Sequence, residues 1–402
     1  MENFKIGVLR EEKTPPDKRV PLTPLICSEL MRQFTNVKIV VQPSNIRCYS
    51  DEEYTSFGVD LQEDLSDCNV LMGVKEVPPD KLIPEKKYFF FSHTIKKQAH
   101  NQKLIKALIA KKVQMIDYET LTDKHNNRII GFGRYAGVVG AYNGILGYGL
   151  KYDLFRLKPA NLCRDKAEME EELKRAKLPN IKIVITGGGR VANGAIETLS
   201  ALRIRKVTPE EFLMASFREP VYCQLNPRDY VERPNDHNFD LNDFFSHPEH
   251  FVSKFVPFTK TADLYISTHF WDPHSPKMFT KEDMKSPDFH ISVIADVTCD
   301  MDGSVPSTIR ASTITQPFYG YNIMTEKEDL PFNKSTVCIM AVDNLPCELP
   351  RDASDDFGKD LSERVLPFVF GEDKDRVIKR ASICKDGKLT SSFEYLSDYA
   401  YD

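Results

Sequence analysis

The segment that most constrains the fold of this chain is a short apolar run that leads into a glycine-rich turn. Residues 181–186 read Ile-Lys-Ile-Val-Ile-Thr, and Gly187, Gly189 and Ala192 follow with the spacing G-x-G-x-x-A. In this pattern the first glycine allows a tight turn, the second lets the backbone approach a pyrophosphate, and the alanine lets the next helix pack on the strand. Since an amphipathic stretch follows at 192–202, the context favours dinucleotide binding over a plain tight turn.

The rest of the chain alternates short apolar runs with amphipathic stretches, which is typical of parallel βαβ units. A length of 402 residues is too great for one ordinary core. We therefore predict an α/β protein with two Rossmann-type domains, each with a parallel sheet, and a cleft between them. The predicted strands are 4–9, 37–41, 70–74, 88–91, 113–116, 263–267 and 291–295, and the predicted helices include 23–34, 51–57 and 97–111.

Three further segments have a distinct composition. Residues 131–149 are rich in glycine and alanine at helical spacing, which predicts a helix that approaches another backbone closely. Residues 164–177 are highly charged and predict a solvated helix. Residues 222–257 are rich in Asp, Asn, His and Pro, and they are interpreted as a long insertion.

The charge and cysteine content exclude several classes of protein. A net charge of −5 argues against general binding to nucleic acid or to an anionic membrane. The nine cysteines form no C-x-x-C pair, so we expect free thiols and no metal site, and we interpret His247 and His250 as surface residues. We find neither a signal peptide nor a membrane span and expect a cytoplasmic protein that acts on a small molecule; the oligomeric state is open.

Polar side chains follow three successive predicted strands. Lys75 and Glu76 follow the strand at 70–74, His93 follows the next, and Glu119 follows the third. The carboxyl ends of parallel strands meet at one edge of a sheet, where α/β proteins bind their ligands. A lysine and a histidine there suit proton transfer if the lysine pKa is lowered. Arg19 could hold a substrate carboxylate, although each of these residues taken alone has an ordinary structural explanation.

Several motifs resemble those of a known superfamily. Residues 6–8 with 19–24, and the Val-Lys-Glu-Val-Pro of 74–78, resemble the alanine dehydrogenase and transhydrogenase superfamily. Narrower matches at 91–96, 116–119, 132–137, 295–297 with 303–304, and 342–346 resemble the lysine-forming saccharopine dehydrogenases. The resemblance is greatest to the lysine–2-oxoglutarate reductase domain of the bifunctional animal enzyme, and it runs nearly end to end.

This resemblance implies roles for individual residues and a domain plan. Lys75 and His93 correspond to the acid–base pair, and Glu76 and Glu119 to the carboxylates that tune this lysine at the substrate site. The chain would form a substrate domain from 1–135 and 336–402 and a dinucleotide-binding domain from 136–335. The other implied substrate-binding residues are Arg19, Lys96, Arg128 and Phe132, and the implied cofactor-binding residues are Gly187, Gly189, Arg190, Val191, Phe270, Val342, Asp343, Asn344 and Leu345.

The favoured function is the interconversion of saccharopine with L-lysine and 2-oxoglutarate. The alternatives are an alanine-dehydrogenase-like amino-acid dehydrogenase, whose smaller substrate needs fewer cationic residues, and a non-enzymatic NAD(P)-binding regulator. The sequence gives only weak evidence for the choice between NAD and NADP. The resemblance to free-standing lysine-forming enzymes favours NAD, whereas the missing ribose-binding acid and the cations Arg205 and Lys206 leave NADP open.

Overall fold

The computed structural model describes residues 4–235 and 237–402, and the chain divides into two compact units. The first unit comprises Met1–Phe132 and Pro350–Asp402, and the second comprises Gly133–Leu349. The second unit extends beyond the boundary at residue 335 that the resemblance implies, because Thr336–Met340 is a strand that pairs in parallel with Val293–Asp296.

The N-terminal part of the first unit alternates strands and helices. The strands are short and apolar, and Thr23 caps the first helix by accepting a hydrogen bond from the backbone N–H of Ile26. The elements are β1 (Phe4–Val8), α1 (Pro24–Gln33), β2 (Val37–Val41), α2 (Asp51–Ser56), β3 (Asp60–Leu61), β4 (Val70–Met72), β5 (Lys87–Phe90), α3 (Gln102–Ala110) and β6 (Gln114–Asp117).

The second unit begins with a long helix and continues with ten strands among the residues that the structure describes. Its elements are α4 (Gly133–Lys151), α5 (Lys166–Leu173), β7 (Lys182–Thr186), α6 (Arg190–Ala201), β8 (Arg205–Lys206), α7 (Pro209–Met214), β9 (Val221–Leu225), α8 (Pro227–Tyr230), β10 (Val231–Glu232), α9 (Leu241–Ser246), β11 (Val252–Ser253), α10 (Val256–Thr259), β12 (Leu264–Ser267), α11 (Lys281–Met284), β13 (Val293–Asp296), β14 (Phe318–Asn322), β15 (Lys327–Asp329) and β16 (Thr336–Met340).

The chain then returns to the first unit. The returning elements are α12 (Pro350–Arg364), α13 (Leu366–Phe370), α14 (Val377–Ala381), β17 (Ser382–Lys385), β18 (Lys388–Leu389) and α15 (Ser397–Tyr401). Short 3-10 turns lie at Pro79–Lys81, Thr94–Lys96, Ala99–Asn101, Tyr118–Thr120, Ala160–Leu162, Pro248–His250, Leu345–Glu348 and Ser391–Leu396.

Each unit contains one eight-stranded sheet that is mostly parallel. The order in the first is β18-β17-β6-β5-β4-β1-β2-β3, and in the second β15-β14-β16-β13-β12-β7-β9-β8. In both sheets an antiparallel pair extends one edge: β17 and β18 in the first, β14 and β15 in the second. The prediction of an α/β fold with two Rossmann-type sheets is confirmed.

The interpretation of 222–257 as an insertion is wrong at its start. Residues 221–225 form β9, which pairs in parallel with β7 and is almost entirely buried. Most of the remaining described residues are exposed or half-buried, but the aromatic side chains of Phe244, Phe251 and Phe255 among them belong to the core of the second unit. The polar residues between these aromatic side chains interrupt the apolar periodicity, so the sequence did not indicate that this segment contributes to the core.

The glycine-rich helix α4 packs closely against α6, as the sequence predicts. A Cβ on Gly137 would lie 1.8 Å from the backbone oxygen of Val191, and one on Gly194 would lie 1.9 Å from that of Arg134. Only glycine allows two helices to approach to this distance. The contact holds the first turn of α6 in place beside the glycine-rich loop.

Two other expectations concern cysteines and membranes. All nine cysteines are free thiols, as predicted. Within residues 4–235 and 237–402, the structure contains no helix with both the length and the apolar character needed to span a membrane.

Candidate active site

The three polar segments of the first unit follow adjacent parallel strands. β4 pairs with β5, and β5 with β6, so their carboxyl ends lie at the same edge of the sheet. Lys75, His93 and Glu119 each follow one of these ends within three residues. The structure therefore brings these predicted residues to one edge.

Buried Asp117, the last residue of β6, joins two of these strand ends. One carboxylate oxygen accepts the backbone N–H of Ser92 at 2.9 Å, and the other accepts that of Glu119 at 2.7 Å. Burial raises the pKa of Asp117, while these hydrogen bonds oppose the rise. His93, held beside this link, has a left-handed backbone with φ of 53°. Such strain costs on the order of 1–3 kcal/mol and persists where the surroundings fix the residue.

A short hydrogen bond joins His93 to Glu76. The distance between His93 Nδ1 and Glu76 Oε1 is 2.5 Å, and Lys13 Nζ donates to Oε2 of the same glutamate at 3.2 Å. Burial favours a higher pKa for Glu76, but the hydrogen bond and charge of His93, assisted by Lys13, hold the pKa at about 2. An ionised Glu76 accepts the proton on Nδ1 and leaves Nε2 of His93 to exchange protons with a substrate.

Lys75 is half-buried in an environment that lowers its pKa. Burial is the largest cause, and the positive charges of Arg19 and Lys13 add to it, whereas Asp17 and Glu76 act in the opposite direction. The net lowering increases the neutral amine at moderate pH. The side chain is thereby suited to accept a proton.

Arg19 is held in a buried ion pair. Its Nη2 lies 2.6 Å from Asp17 Oδ2 and its Nε donates to Oδ1 at 3.0 Å, with both residues at least 96% buried. Burial favours a higher pKa for Asp17, but Arg19 and then Lys75 hold that pKa well below its usual range. The guanidinium stacks on Phe132 at 4.2 Å. Arg19 is thus a fixed positive charge near Lys75.

Lys96 and Arg128 both approach Glu119. Their nitrogens lie 4.0 and 3.9 Å from Glu119 Oε1. Oε2 of Glu119 is buried and has no hydrogen-bond partner among the described residues. Two cations and an available carboxylate oxygen could bind a ligand with both carboxylate and amino groups. Glu119 thus lies beside these two cations, whereas Glu76 is the carboxylate of the two that raises the pKa of Lys75.

Sequence reasoning missed Glu11, which fixes the turn after β4. Its carboxylate accepts the backbone N–H groups of Val74 at 2.6 Å and Lys75 at 2.8 Å. Burial raises the pKa of Glu11 to about 8, although both hydrogen bonds oppose the rise. In the sequence Glu11 belongs to a charged run, Arg-Glu-Glu-Lys, that resembles an exposed surface, so no local signal distinguishes it.

The glycine-rich loop of the second unit has the geometry that the motif predicts. Gly187 has φ of +116°, which strongly favours glycine, and Gly189 is the N-cap of the twelve-residue helix α6. A Cβ on Gly189 would meet no described atom within 4 Å, so the backbone there borders open space. Ala192 is fully buried. These features fit a pyrophosphate beside Gly189 and the first turn of α6.

The other predicted cofactor residues occupy two further positions in the second unit. Phe270, three residues after β12, is 74% exposed. Val342 and Leu345, just beyond β16, are buried, while Asp343 between them is exposed and Asn344 half-buried. Since β7, β12, β13 and β16 are parallel neighbours, these segments follow carboxyl ends at the same edge as the glycine loop. Arg190 and Val191 begin α6.

His269 is a further candidate that sequence reasoning missed. Its Nδ1 lies 2.8 Å from the Thr186 hydroxyl, beside Gly187, and burial lowers its pKa to about 3. Nε2 of His269 and Nε1 of Trp271 are buried without a hydrogen-bond partner among the described residues. The unsatisfied Nε2 of His269, a residue beside the glycine loop, is consistent with a polar ligand there.

The position that selects the ribose group differs from the one expected. The strand beside β7 is β9, and β8, which carries Arg205 and Lys206, lies beyond it at the edge. Arg205 pairs with Glu219 at 2.8 Å, and Lys206 donates to Gln224. A ribose-binding acid is expected after the strand next to the glycine loop, so neither cation occupies that position.

Asn226 is the first residue after β9. Its Oδ1 lies 2.7 Å from where a Cβ on Gly188 would be, so it lies against the glycine loop. Arg228, two residues later, is exposed and has no ion-pair partner in residues 4–235 or 237–402. A neutral side chain with a nearby arginine suits a 2′-phosphate better than a free 2′-hydroxyl.

His247 and His250 are exposed, as expected. Together with Glu249 they place three ligand atoms within 4.8 Å of one another on the surface. The expectation that the chain binds no metal stays a prediction.

Comparisons with known proteins agree with the predicted resemblance. Residues 7–139 match the family model of the alanine dehydrogenase/PNT N-terminal domain. The chain is 30% identical to alpha-aminoadipic semialdehyde synthase of Arabidopsis thaliana, over 98% of this chain and 41% of the relative. It is 27% identical to the mitochondrial alpha-aminoadipic semialdehyde synthase of Bos taurus, over 97% of this chain and 47% of the relative. The chain thus spans less than half the length of these relatives.

A shorter relative matches along most of both chains. The saccharopine dehydrogenase (NAD+, L-lysine-forming) of Yarrowia lipolytica is 25% identical over 90% of each. Among solved structures, an L-alanine dehydrogenase aligns with TM-score 0.65 and 16% identity over 99% of this chain and 100% of that one. The transhydrogenase of Sinorhizobium meliloti aligns with TM-score 0.61 and 14% identity over 96% and 100%. The resemblance to the alanine dehydrogenase and transhydrogenase superfamily and to saccharopine dehydrogenases is confirmed.

Proposed function

We propose that this chain is an NAD(P)-dependent oxidoreductase that interconverts saccharopine with L-lysine and 2-oxoglutarate. The observation that carries the proposal is the environment of Lys75 and His93. One side chain has a lowered pKa, and the other is oriented by an ionised carboxylate at the same sheet edge. The name of the Yarrowia lipolytica relative, a saccharopine dehydrogenase that forms L-lysine, supplies the substrate class.

In the oxidative direction, the secondary amine of saccharopine must lose a proton as the adjacent carbon loses hydride. We assign Lys75 as the group that takes this proton, because burial and the charges of Arg19 and Lys13 lower its pKa and so favour the neutral amine. The nicotinamide, when bound, accepts the hydride. The products of this step are a C=N bond in the substrate and a protonated Lys75.

Hydrolysis of the C=N bond completes the reaction. His93 passes both protons of the water that adds to the carbon to the lysine nitrogen, the first as the C–O bond forms and the second as the C–N bond breaks. Glu76 stabilises the positively charged imidazole that exists while His93 holds each proton. Water is consumed, the C–N bond breaks, and the 2-oxoglutarate carbonyl forms.

Substrate recognition in the first unit rests on charge. Saccharopine carries three carboxylates, and Lys96 and Arg128 offer two cations within 4.0 Å of Glu119. Arg19 contributes a fixed positive charge. Oε2 of Glu119 has no hydrogen-bond partner among residues 4–235 and 237–402, and it can accept a hydrogen bond from a substrate ammonium group. An alanine-sized substrate would leave most of these groups without a partner.

For the cofactor, we propose NADP rather than the NAD that the resemblance favours. The reason is the neutral Asn226 and the exposed Arg228 at the end of β9. The glycine loop would hold the pyrophosphate in either case.

The proposal is tested by steady-state assays of the purified chain. Saccharopine is supplied with NAD or NADP, and L-lysine plus 2-oxoglutarate with each reduced cofactor, with alanine and pyruvate as matched comparison substrates. We expect saccharopine to give a kcat/KM at least 100-fold above that of alanine, about 2.7 kcal/mol. A higher value for alanine would support the amino-acid dehydrogenase alternative, and no turnover with any pair would support a non-enzymatic role.

A further inference from the structure

The first unit contains a cavity of about 650 Å³ along two of the strands that end at the candidate active site. Its wall includes Lys87 and Phe89 of β5 and Gln114 and Ile116 of β6, which are alternate residues and therefore face the same side of the sheet. None of Lys75, His93 and Glu119 lines the cavity, so it is distinct from the group that these three residues form.

The wall of this cavity is strongly basic. Five of its residues are cationic and one is acidic, although the whole chain has a net charge of −5. The cations come from β5, from the turn and helix around α14, and from β17. The cationic residues are Lys87, Arg376, Lys379, Arg380 and Lys385, and the acidic residue is Asp373.

Most of these charges are not neutralised by the protein. Lys87, Arg376 and Lys379 have no ion-pair partner in the part of the chain that the structure describes. Arg380 donates only to backbone oxygens, at 2.5 Å to Asp375 and 2.7 Å to Thr122, and its buried Nε–H has no acceptor among the described residues. The guanidinium is thus held in place without a compensating carboxylate.

The backbone of Arg376 is strained. Its φ is 55°, in the left-handed region that few residues other than glycine adopt. The residue precedes α14, and its backbone N–H donates to the Asp373 oxygen at 3.0 Å. Strain of this kind concentrates where a structure holds a residue for a ligand.

The remainder of the wall is suited to an organic molecule. Ser382, Thr390, Ser391 and Ser392 provide hydroxyl groups, while Phe89, Ile116, Phe368 and Val369 provide apolar surface. A volume of about 650 Å³ lies within the usual range of small-molecule sites. We propose that this cavity binds an organic anion with two or more phosphate or carboxylate groups on an apolar body.

The test measures binding by isothermal titration calorimetry to the full chain. ATP serves as the phosphate probe, citrate as the carboxylate probe, and inorganic phosphate as the single anion. We expect ATP or citrate to bind, and the one that binds better identifies the chemistry. We expect the affinity of the R376Q/K379Q variant for the better-binding probe to be at least tenfold lower, about 1.4 kcal/mol. Lys103 and Lys359 are exposed lysines of the first unit outside the cavity, so K103Q/K359Q removes the same charge and should leave affinity within twofold.

Two further measurements separate this site from the proposed active site. Binding should persist in the Lys75→Met variant, and R376Q/K379Q should keep the basal kcat with saccharopine. Absence of binding by both ATP and citrate at about 1 mM, a free energy weaker than about −4.1 kcal/mol, would overturn the proposal. Equal affinity of R376Q/K379Q and the unmodified chain would overturn it as well.

Discussion

Nδ1 of His93 lies 2.5 Å from Oε1 of Glu76, and these two residues follow neighbouring strands of one parallel sheet. The carboxylate fixes both the ring orientation and the nitrogen that carries the proton. Because the pKa of Glu76 is about 2, this arrangement persists over the whole range in which enzymes ordinarily work.

Glu76→Gln should lower kcat by about 10²-fold, because a neutral amide stabilises the protonated imidazole less. The pKa of Glu76 is about 2 in the folded chain and near 4.5 in the unfolded chain, so ionised Glu76 stabilises the fold above pH 4.5, and this stabilisation is lost as the pH falls towards 2. Glu76 is therefore ionised at all pH values from 5 to 9, and the loss of kcat in Glu76→Gln should be similar across this range. Glu63→Gln, at an exposed residue that pairs with Arg10, is the control. A kcat within twofold of the unmodified chain would show that Glu76 does not assist His93.

Lys13→Met should move the pH dependence of saccharopine oxidation. The reaction needs neutral Lys75, so kcat/KM rises with pH through the pKa of this lysine. Lys13 is one of the charges that lower that pKa, so its removal should shift the rising limb to higher pH by up to about one unit. Lys81→Met, at a lysine paired with Glu12, should leave the limb in place. A shift to lower pH would contradict the assignment of Lys75.

Gly189→Val should weaken cofactor binding without unfolding the chain. A Cβ at this residue meets no described atom within 4 Å, so the protein tolerates it, but it enters the space proposed for the pyrophosphate. Energy transfer from Trp271, the single tryptophan, to bound NADPH gives the dissociation constant. We expect at least a tenfold increase, about 1.4 kcal/mol. Ser200→Val, near the exposed end of α6, is the control, and equal affinity in the two variants would remove Gly189 from the site.

Arg228→Ala should lower kcat/KM for NADP at least tenfold and that for NAD less than twofold, since only NADP carries the 2′-phosphate. Arg205→Ala is the matched control, because Arg205 lies on the edge strand and pairs with Glu219. If Arg205→Ala gives the larger selective loss, the ribose site lies at β8. If the unmodified chain has a tenfold higher kcat/KM with NAD than with NADP, the cofactor is NAD, as the resemblance implies, and the proposal of NADP is wrong.

Sequence patterns predicted the parts of the site that depend on local order. Apolar runs of four or five residues locate β4, β5 and β6, and the polar residues that follow them must meet at one edge. This reasoning places Lys75, His93 and Glu119 correctly beside one another along the sheet. The glycine spacing likewise predicts the turn at Gly187 and the helix that begins at Arg190.

The remaining features depend on contacts between distant residues. Glu11 reaches Val74 and Lys75 across more than 60 positions, and nothing near it in the sequence indicates this. β9 was not predicted, because its five residues precede a polar, proline-rich stretch. Asn226 was missed for the same reason, since only the strand order shows that β9, rather than β8, adjoins β7.

The central claim is tested most directly by the saccharopine-dependent kcat of Lys75→Met and His93→Gln across pH 6 to 10. We predict that each variant loses about 10²–10⁴-fold in kcat and that the rising limb disappears in Lys75→Met. The affinity for NADPH, measured from Trp271, should be unchanged in both. Lys103→Met, at an exposed lysine of α3, should behave like the unmodified chain. If Lys75→Met kept the unmodified kcat and its rising limb, Lys75 would not be the base and this account of the reaction would be wrong.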